Sequence, residues 1–374
     1  MNFGIDVRPL SRPPAGIHRA VRNLLEHLQA IDSENRYYLY SDREFELVLR
    51  NNRWQKRVHR TFSFLPGSVW LQTDAKRMAV EDGVDVFWGT SSALPLKLPS
   101  SMRKMVTVYD LYWIVCPETL SLYNRLAQRA LAGKSMRRAD MICVPSESTK
   151  QQVLRHMGSK VRAVTAVHLG IEENYFFRDP VYSASYIAQK FATSADYLCA
   201  VGTMALNKNL SVLFEAIRIL HQRCGFKQQL LIAGPNGSRA HATYRCLASL
   251  GLTREEVKFL GYVPDEDMPY LYAGASGFVF PSLHEGFGFP VLEAMACGAP
   301  VACSNRSSVP EIAGDAAVYF NPESADEMAQ AVERLLSDST LRESLVEKGF
   351  ARAKMFTWGA CARKTLSVLN SLVV

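Results

Sequence analysis

Long apolar runs are missing from this sequence. No uninterrupted stretch approaches the roughly 20 residues that a helix needs to cross a bilayer. Met1 leads straight into strand-like sequence rather than into a basic and then apolar leader, so we expect a cytoplasmic protein. Internal repeats and low-complexity segments are absent too. These absences argue against an integral membrane protein, a secreted protein and a repeat protein.

Paired cysteine motifs are also missing. The eight cysteines lie far apart, with no Cys-x-x-Cys pair and no histidines at zinc-ligand spacing. A chain of this length does not need disulfide staples, so we expect reduced thiols in the core. The cysteines are Cys116, Cys143, Cys199, Cys224, Cys246, Cys297, Cys303 and Cys361.

The rest of the composition is that of a globular protein. The chain has 374 residues, more than one hydrophobic core usually serves, with 48% apolar and 21% charged residues. Short strand-like runs recur with helical segments between them, which indicates parallel sheets with helices on both faces. The sequence therefore predicts an α/β protein with two Rossmann-like domains that meet near residues 170–180. The runs occupy residues 3–10, 85–88, 105–108, 141–144, 164–167, 197–201, 230–233 and 277–280.

Positive charge is concentrated in the first half of the chain. Residues 1–173 carry 25 Lys and Arg against 17 Asp and Glu, whereas the remainder carries 18 against 19. Cations interleaved with aromatic residues favour an anionic membrane surface, although a solvated loop face is the alternative. No zinc finger, RNP-like sequence or arginine-rich repeat points to nucleic acid. The mixed segment comprises Arg50, Arg53, Trp54, Lys56, Arg57, Arg60, Phe62, Phe64 and Trp70, with further cations at Lys134, Arg137 and Arg138, and Arg53, Trp54, Lys56 and Arg57 are its predicted membrane or acceptor contacts.

The most informative segment is 282–298, where a glycine loop follows a strand and opens a helix with Pro290 at its first position. Gly286 and Gly288 let the main chain approach a ligand, and the free amides of the helix start favour an anion such as a diphosphate. Glu293, one turn into the helix, suits a ribose, and Glu285 suits a hexose. The alternative is a simple turn in which Glu293 complements the helix dipole.

The stretch 257–320 resembles the family-four glycosyltransferases of the GT-B fold. The likeness is carried by residues 259–264, 271–275 and 308–317 and by the two glutamates eight positions apart. Residues 3–19 resemble that family's first strand and glycine loop, 200–210 resemble the loop with its phosphate-binding lysine, and 167–171 resemble its interdomain junction. The resemblance therefore runs through the whole chain.

This resemblance implies a retaining transferase that moves a hexose, mannose by first choice, from a donor such as GDP-mannose to a glycan or lipid-linked acceptor. The product would belong to surface polysaccharide or lipopolysaccharide biosynthesis, and no metal or other cofactor is expected. The implied domains face a cleft: 1–173 binds acceptor, 174–355 binds nucleotide sugar, and a helix in 356–374 returns to the first domain. We expect a peripheral location on the inner face of the cytoplasmic membrane.

The resemblance also assigns residues to the site. Those assigned to catalysis are Glu285, Tyr109, Asp110 and Lys208. Those assigned to the donor are Gly16, Thr203, Asn207, Lys208, Tyr262, Val263, Glu285, Gly286, Phe287, Gly288 and Glu293.

Two positions depart from the family pattern. Asn207 stands where many relatives carry arginine, and Tyr109 precedes Asp110 where relatives often have histidine. Tyr109 either replaces that sugar contact through its hydroxyl or indicates a different hexose, and Asp110 either binds acceptor or caps the next segment. The acidic residues 265–267 are interpreted as helix caps and dipole partners rather than metal ligands.

Two other functions remain open from the sequence. One is a non-catalytic, membrane-associated sugar-nucleotide sensor, in which Tyr109 and Asn207 mark lost chemistry. The other is a sugar-nucleotide epimerase or a phosphorylase on the same fold, for which we find no separate catalytic set.

Overall fold

The computed structural model describes residues 1–13, 16–61, 66–115, 122–237 and 240–373, without the side chains of 122–129 and 224. Pro14, Ala15, Phe62, Phe64 and Cys116 lie outside the described residues, as does the side chain of Cys224. The chain divides into two compact units, one of residues 1–170 with 357–374 and one of residues 171–356. The sequence-based prediction places the two boundaries after residues 173 and 355, and the structure places them after residues 170 and 356.

The first unit is built on a seven-stranded sheet in which every strand is parallel to its neighbours. Apolar side chains such as Phe3, Ile5 and Phe87 are fully buried, which is why these runs form central strands. The strand order is β3-β2-β1-β4-β5-β6-β7. The strands are β1 (Asn2–Asp6), β2 (Arg36–Ser41), β3 (Trp54–Val58), β4 (Val86–Gly89), β5 (Arg103–Thr107), β6 (Met141–Val144) and β7 (Val164–Ala166).

Helices connect these strands and cover the sheet. The amphipathic first helix buries Ala20, Val21, Leu24 and Leu28 and packs against the last helix of the chain. The helices are α1 (Gly16–Ile31), α2 (Gly67–Trp70), α3 (Lys76–Glu81), α4 (Tyr112–Val115), α5 (Leu122–Arg138) and α6 (Glu147–Met157), and the last is Trp358–Ser371. A π-helical turn (Leu71–Ala75) joins α2 to α3, and 3-10 turns occupy Arg8–Ser11 and Gly158–Lys160.

The second unit repeats the plan with six parallel strands in the order β10-β9-β8-β11-β12-β13. Its strands are β8 (Tyr197–Val201), β9 (Gln229–Ala233), β10 (Val257–Gly261), β11 (Gly277–Phe280), β12 (Val301–Ser304) and β13 (Val318–Phe320). The six cysteines whose side chains are described carry free thiols, and five of them are buried, whereas Cys246 is partly exposed.

The helices of the second unit begin at recognisable signals. Pro180 opens the first one, and Asp179 before it accepts a hydrogen bond from the Tyr182 amide. The helices are α7 (Pro180–Phe191), α8 (Leu210–Cys224), α9 (Ala240–Ser249), α10 (Met268–Ala273), α11 (Phe289–Ala296), α12 (Val309–Ala313), α13 (Ala325–Ser337) and α14 (Ser339–Ala353). The helix at Trp358–Ser371 is then α15, and 3-10 turns occupy Glu173–Tyr175 and Leu206–Lys208.

Both sheets reverse their strand order once, between β1 and β4 in the first unit and between β8 and β11 in the second. In parallel α/β sheets, ligands bind beyond the carboxyl ends of the strands at such a switch point. The prediction of two Rossmann-like parallel-sheet domains is confirmed. A ligand site is therefore expected at these two switch points.

Candidate active site

The switch point of the second unit brings two charged side chains together. Lys208 ends the 3-10 turn after β8, and Glu285 lies on the loop after β11. The Lys208 Nζ and Glu285 Oε1 atoms are 2.6 Å apart, and both side chains are mostly buried. The ammonium also lies 5.3 Å from the centroid of the Phe280 ring. Two residues that the sequence predicts for the site are therefore in direct contact.

Glycines let the main chain pack closely around this pair. A Cβ atom added to Gly234 would lie 2.2 Å from the carbonyl oxygen of Gly202, and one added to Gly237 would lie 2.3 Å from that of Met204. A Cβ on Gly202 would lie 3.0 Å from Cε of Lys208, so the lysine stem lies against that residue. Gly234 and Gly237 were not predicted from the sequence. Their position directly after β9, at the carboxyl edge of the sheet, was the available signal.

Two serines hold the loop that carries Glu285. Ser307 Oγ donates to the Glu285 carbonyl oxygen at 2.6 Å, and Ser308 Oγ donates to the Phe287 carbonyl oxygen at 2.7 Å. Ser307 has φ of +59°, a left-handed conformation that is uncommon outside glycine. Residues 308–317 carry the family resemblance, but the role of Ser307 and Ser308 in holding this loop was not predicted from the sequence.

The end of the glycine loop starts α11. Gly288 is the N-cap with φ of +113°, Phe289 is the first helical residue, and Pro290 is the second. The predicted position of Pro290 is therefore wrong by one residue, because the left-handed glycine directly precedes Phe289. Phe287 is buried, and its ring meets that of Phe289 edge to face at 5.2 Å. The glycine conformation is what turns the chain from the loop into the helix.

Glu293 is a buried residue of α11, with 3% of its surface exposed. Its Oε2 atom accepts a hydrogen bond from the Tyr272 hydroxyl at 2.7 Å. Burial, together with the charge of Glu293, raises the pKa of Tyr272 well above its ordinary value, so this tyrosine stays a donor. The contact of Glu293 with a ribose stays a prediction.

Four other predicted donor residues follow the carboxyl ends of β8 and β10. Asn207 is buried, and its carbonyl oxygen accepts from the Leu283 amide at 2.8 Å, which joins the loops after β8 and β11. Thr203 and Tyr262 are exposed, whereas Val263 is buried. The loops after β8 and β10 therefore lie at the same edge of the sheet as Lys208 and Glu285.

The acidic segment 265–267 does not cap α10 through its side chains as predicted. Asp267 occupies the N-cap position without a side-chain capping bond. Its buried Oδ1 atom instead accepts from the Tyr186 hydroxyl and from the Lys190 ammonium, each at 2.7 Å. These bonds raise the pKa of Lys190. Within the described part of the chain, no three His, Cys, Asp or Glu residues are grouped as metal ligands.

The switch point of the first unit holds a cavity of about 340 Å³. Tyr109 and Asp110, which follow β5, line it together with Ser91 and Ser92, which follow β4. Ser92 has φ of +57°, a strained conformation at the cavity wall. The structure therefore brings the predicted Tyr109 and Asp110 to a concave site.

Tyr109 and Asp110 differ in their surroundings. Burial raises the pKa of Tyr109, so its hydroxyl stays protonated and can donate a hydrogen bond. Asp110 Oδ1 accepts from the Tyr112 amide at 3.1 Å, which is the capping role that the sequence left open. Gly16 is the first residue of α1, and an added Cβ there would meet no described atom within 4 Å.

The aromatic part of the predicted membrane contact is wrong. Trp54 is 1% exposed, and its ring stacks on that of Tyr37 at 3.8 Å because the two residues pair across β2 and β3. Trp70 is also buried, and its indole nitrogen donates to the His59 carbonyl oxygen. These tryptophans pack in the fold and do not offer an aromatic surface to lipid.

The cations around Trp54 are partly engaged. Arg57 pairs with Asp82 at 2.8 Å, and Lys56 Nζ donates to the Phe45 carbonyl oxygen at 3.2 Å. Arg53 is exposed.

Over the described residues, no helix is both long enough and apolar enough to pass through a bilayer.

Comparison with known proteins identifies the family of this chain. Residues 14–175 match the model of Glycosyltransferase Family 4, and residues 187–352 match that of glycosyl transferases group 1. The O-antigen chain mannosyltransferase B of Escherichia coli is 31% identical over 287 residues, which cover 77% of this chain and 74% of that protein. The chain belongs to the family-four glycosyltransferases. It is an enzyme of the glycosyltransferase class.

Another relative is much longer. The serotype-specific mannosyltransferase WbdA of Escherichia coli is 27% identical over 305 residues, or 78% of this chain, and the match spans 36% of that protein.

Solved structures share the fold. Sucrose-phosphate synthase from Thermosynechococcus elongatus aligns with a TM-score of 0.77 at 19% identity, covering 100% of this chain and 99% of that one. HepE of Anabaena, solved in complex with UDP-glucose, aligns with a TM-score of 0.76 at 17% identity, covering 99% of each chain. Identities this low show the fold alone, and that fold is GT-B.

Proposed function

We propose that this glycosyltransferase moves mannose from a nucleoside-diphosphate donor, GDP-mannose by first choice, to a glycan or lipid-linked acceptor with retention of anomeric configuration. The mannosyltransferase names of the Escherichia coli relatives support the sugar and its place in O-antigen synthesis. The complex of HepE with UDP-glucose supports a nucleotide-sugar donor.

The observation that carries the proposal is the contact between Lys208 and Glu285 at the switch point. Each residue neutralises the other at 2.6 Å. A donor diphosphate would take the ammonium as its counter-ion, and the carboxylate would then accept hydrogen bonds from hexose hydroxyls. One ion pair is thereby exchanged for two contacts with a single ligand.

The chemistry needs charge stabilisation more than a strong base. The bond between the anomeric carbon and the phosphate oxygen breaks, the acceptor oxygen bonds to that carbon, and the acceptor proton leaves with the nucleoside diphosphate. Negative charge grows on the departing phosphate, where the Lys208 ammonium stabilises it. The mostly buried position of Lys208 strengthens this effect, since less water screens the charge.

We further infer that an anionic membrane presents the acceptor, because residues 1–173 hold the whole positive excess of the chain. We also infer that transfer needs no bound metal.

Replacement of the pair tests the donor site. Lys208→Met and Glu285→Gln should each lower kcat/KM for transfer by about 10²- to 10³-fold, which is the usual effect of removing one preorganised charge stabiliser. Product glycan and free nucleoside diphosphate are both measured, in excess EDTA. Lys348→Met is the control, because Lys348 pairs with Asp315 at 2.9 Å on the surface and should change transfer by less than about twofold.

Several results would count against this assignment. Wild-type rates in both site variants would remove the pair from the mechanism. Loss of transfer in EDTA that Mg²⁺ restores would contradict the metal-free reaction. A thermal-shift panel of nucleotide sugars identifies the donor. A free ligand concentration of 100 times Kd adds about 2.7 kcal/mol to the free energy of unfolding. Tight binding without any turnover would favour a sensor.

A further inference from the structure

A group of arginines lies at the carboxyl ends of β1, β2 and β3, and the proposed donor chemistry does not use it. Arg8, Arg12 and Arg60 surround Asp6 and Asp42, whose carboxylates are fully buried. These five residues are called the arginine group. Three guanidinium ions face two carboxylates, so the group carries one positive charge in excess.

Arg8 is the structural member of the group. Its Nε and Nη2 atoms form a bidentate pair with Asp6 at 2.8 and 2.6 Å, and its Nη1 atom donates to the Gly67 carbonyl oxygen at 2.6 Å. All three guanidinium nitrogens are thus engaged, and Arg8 joins the end of β1 at Asp6 to the start of α2 at Gly67.

Arg12 is the member that can accept a ligand. Its Nη2 atom lies 3.1 Å from Asp42 Oδ2, and 41% of its side chain is exposed. Asp42 also meets Arg60 at 3.7 Å, so this one carboxylate is shared by two guanidinium ions. Within the described residues, Asp42 alone accepts from the Arg12 guanidinium. The planar fork of a guanidinium matches a phosphate, which can accept two parallel hydrogen bonds from it.

The arginine group adjoins the cavity at the switch point of the same unit. Thr90 Oγ1 donates to the Asp6 carbonyl oxygen at 2.6 Å, and the next two residues along the chain line that cavity. In the sheet, β2 and β5 are separated by β1 and β4. Asp42, which the Arg12 guanidinium contacts, directly follows β2, and Tyr109 follows β5, so three strand spacings place Asp42 about 14 Å from Tyr109.

We propose that the arginine group binds a phosphate or diphosphate of the acceptor while the accepting hydroxyl lies in the cavity beside Tyr109 and Asp110. This rests on the proposed transfer function and specifies its acceptor. A separation of about 14 Å is longer than one phosphate ester, so at least one sugar ring lies between the phosphate and the hydroxyl. The acceptor class is a short glycan with a phosphate at one end, either lipid-linked or free.

Binding of inorganic pyrophosphate tests the site without any transfer. Calorimetry uses the full chain carrying Lys208→Met, so that the donor-site ammonium does not contribute. Adding Arg12→Gln should weaken pyrophosphate binding at least about tenfold, and adding Arg12→Lys should weaken it less, because a point charge remains. Arg22→Gln is the control, since Arg22 pairs with Glu26 on the exposed face of α1. No measurable pyrophosphate binding, or equal binding by Arg12→Gln, overturns the proposal.

Transfer assays then identify the source of the phosphate. The same glycan is offered as a lipid diphosphate, as a soluble phosphate ester and as an uncharged glycoside. Arg12→Gln should raise KM at least about tenfold for the phosphorylated forms and leave KM for the glycoside unchanged. An effect on the lipid diphosphate alone identifies the lipid-linked acceptor, and an equal effect on both phosphorylated forms identifies a phosphate recognised without its lipid.

Two outcomes separate a failed acceptor site from a failed function. An equal rise in KM for all three acceptors shows that Arg12 acts only on the fold and overturns the proposal. Absence of transfer to every acceptor by the wild-type chain contradicts the proposed function, while the pyrophosphate titration still decides whether the arginine group binds anions.

Discussion

Single residues decide how the Glu285 loop is held. Ser308 Oγ lies 2.7 Å from the Phe287 carbonyl oxygen and 3.0 Å from that of Glu285, so one hydroxyl serves two carbonyl groups of the same loop. Glu285 can oppose Lys208 only while this loop keeps its shape. In the proposed donor site, Ser308 is therefore a positioning residue for Glu285.

Ser308→Ala tests this role. The variant should lose about 1–2 kcal/mol of stability, because the buried Phe287 carbonyl oxygen loses this donor, while the Glu285 carbonyl oxygen keeps the bond from Ser307. It should also lower kcat/KM about tenfold, because Glu285 is less well placed. Ser249→Ala is the matched control, since Ser249 donates to the Cys246 carbonyl oxygen at an exposed helix end. Unchanged kcat/KM in Ser308→Ala would show that the loop holds Glu285 without this serine.

The charged residues Lys208 and Glu285 were predicted from the sequence, but the residues that support them were not. The resemblance assigns Lys208 and Glu285 because each lies in a short motif of its own local sequence, and the structure brings the two side chains into contact. Ser307 and Gly234 depend on segments that are distant along the chain, through a hydrogen bond to Glu285 and a close approach to Gly202. Such contacts appear only when the loops have been brought together by the sheet.

At the scale of elements, a glycine allows α15 to join the first unit. Gly170 follows β7, and a Cβ added there would lie 2.2 Å from the Trp358 amide nitrogen and 2.6 Å from the carbonyl carbon of Thr357. Both contacts are with backbone atoms at the start of α15, which cannot move away as a side chain would. The start of α15 can therefore lie here only against a glycine.

Gly170→Ala should destabilise the protein by about 2–4 kcal/mol, because the added methyl group overlaps the backbone. Urea unfolding followed by circular dichroism measures the change. Gly133→Ala is the control: among the described atoms its Cβ would meet only Trp113, at 3.7 Å, and alanine should stabilise the interior of α5 by about 0.5–1 kcal/mol. Equal stability of the two variants would show that α15 does not press on Gly170.

The strands that were predicted with correct bounds are continuously apolar. The runs at β6, β8 and β11 have this character, because strands buried on both faces are apolar throughout. β3 was missed since three of its five residues are polar or charged, as suits the edge of a sheet. The error over Trp54 has the same origin. Only the register of β3 with β2 reveals that Tyr37 covers it.

At the scale of the whole molecule, the two halves of the chain differ in charge. The positive excess lies in residues 1–173 and the remainder is close to neutral. The tryptophans do not anchor a membrane, so attraction to lipid would depend on exposed cations. Such attraction is screened by salt over about 8 Å at physiological ionic strength.

Reversing Arg53 and Lys56 to glutamate should weaken binding to vesicles with 30% phosphatidylserine at least about tenfold, because each cation near such a surface contributes about 1 kcal/mol. Cosedimentation at low and high salt measures the effect, and donor binding should not change. Arg218→Glu is the control, since Arg218 is a partly exposed residue of the second unit that contacts Gln222. Equal loss of vesicle binding in the control would point to net charge rather than to this edge of the sheet.

The discontinuous first unit sets an order of events during synthesis. α15 packs on α1, yet the ribosome makes the entire second unit between these two helices. Residues 171–356 are contiguous, so they can complete their tertiary structure while the first sheet still awaits its final helix. Nascent chains should therefore become protease-resistant first in the second unit, and full protection of the first should come only after Trp358–Ser371 has left the exit tunnel.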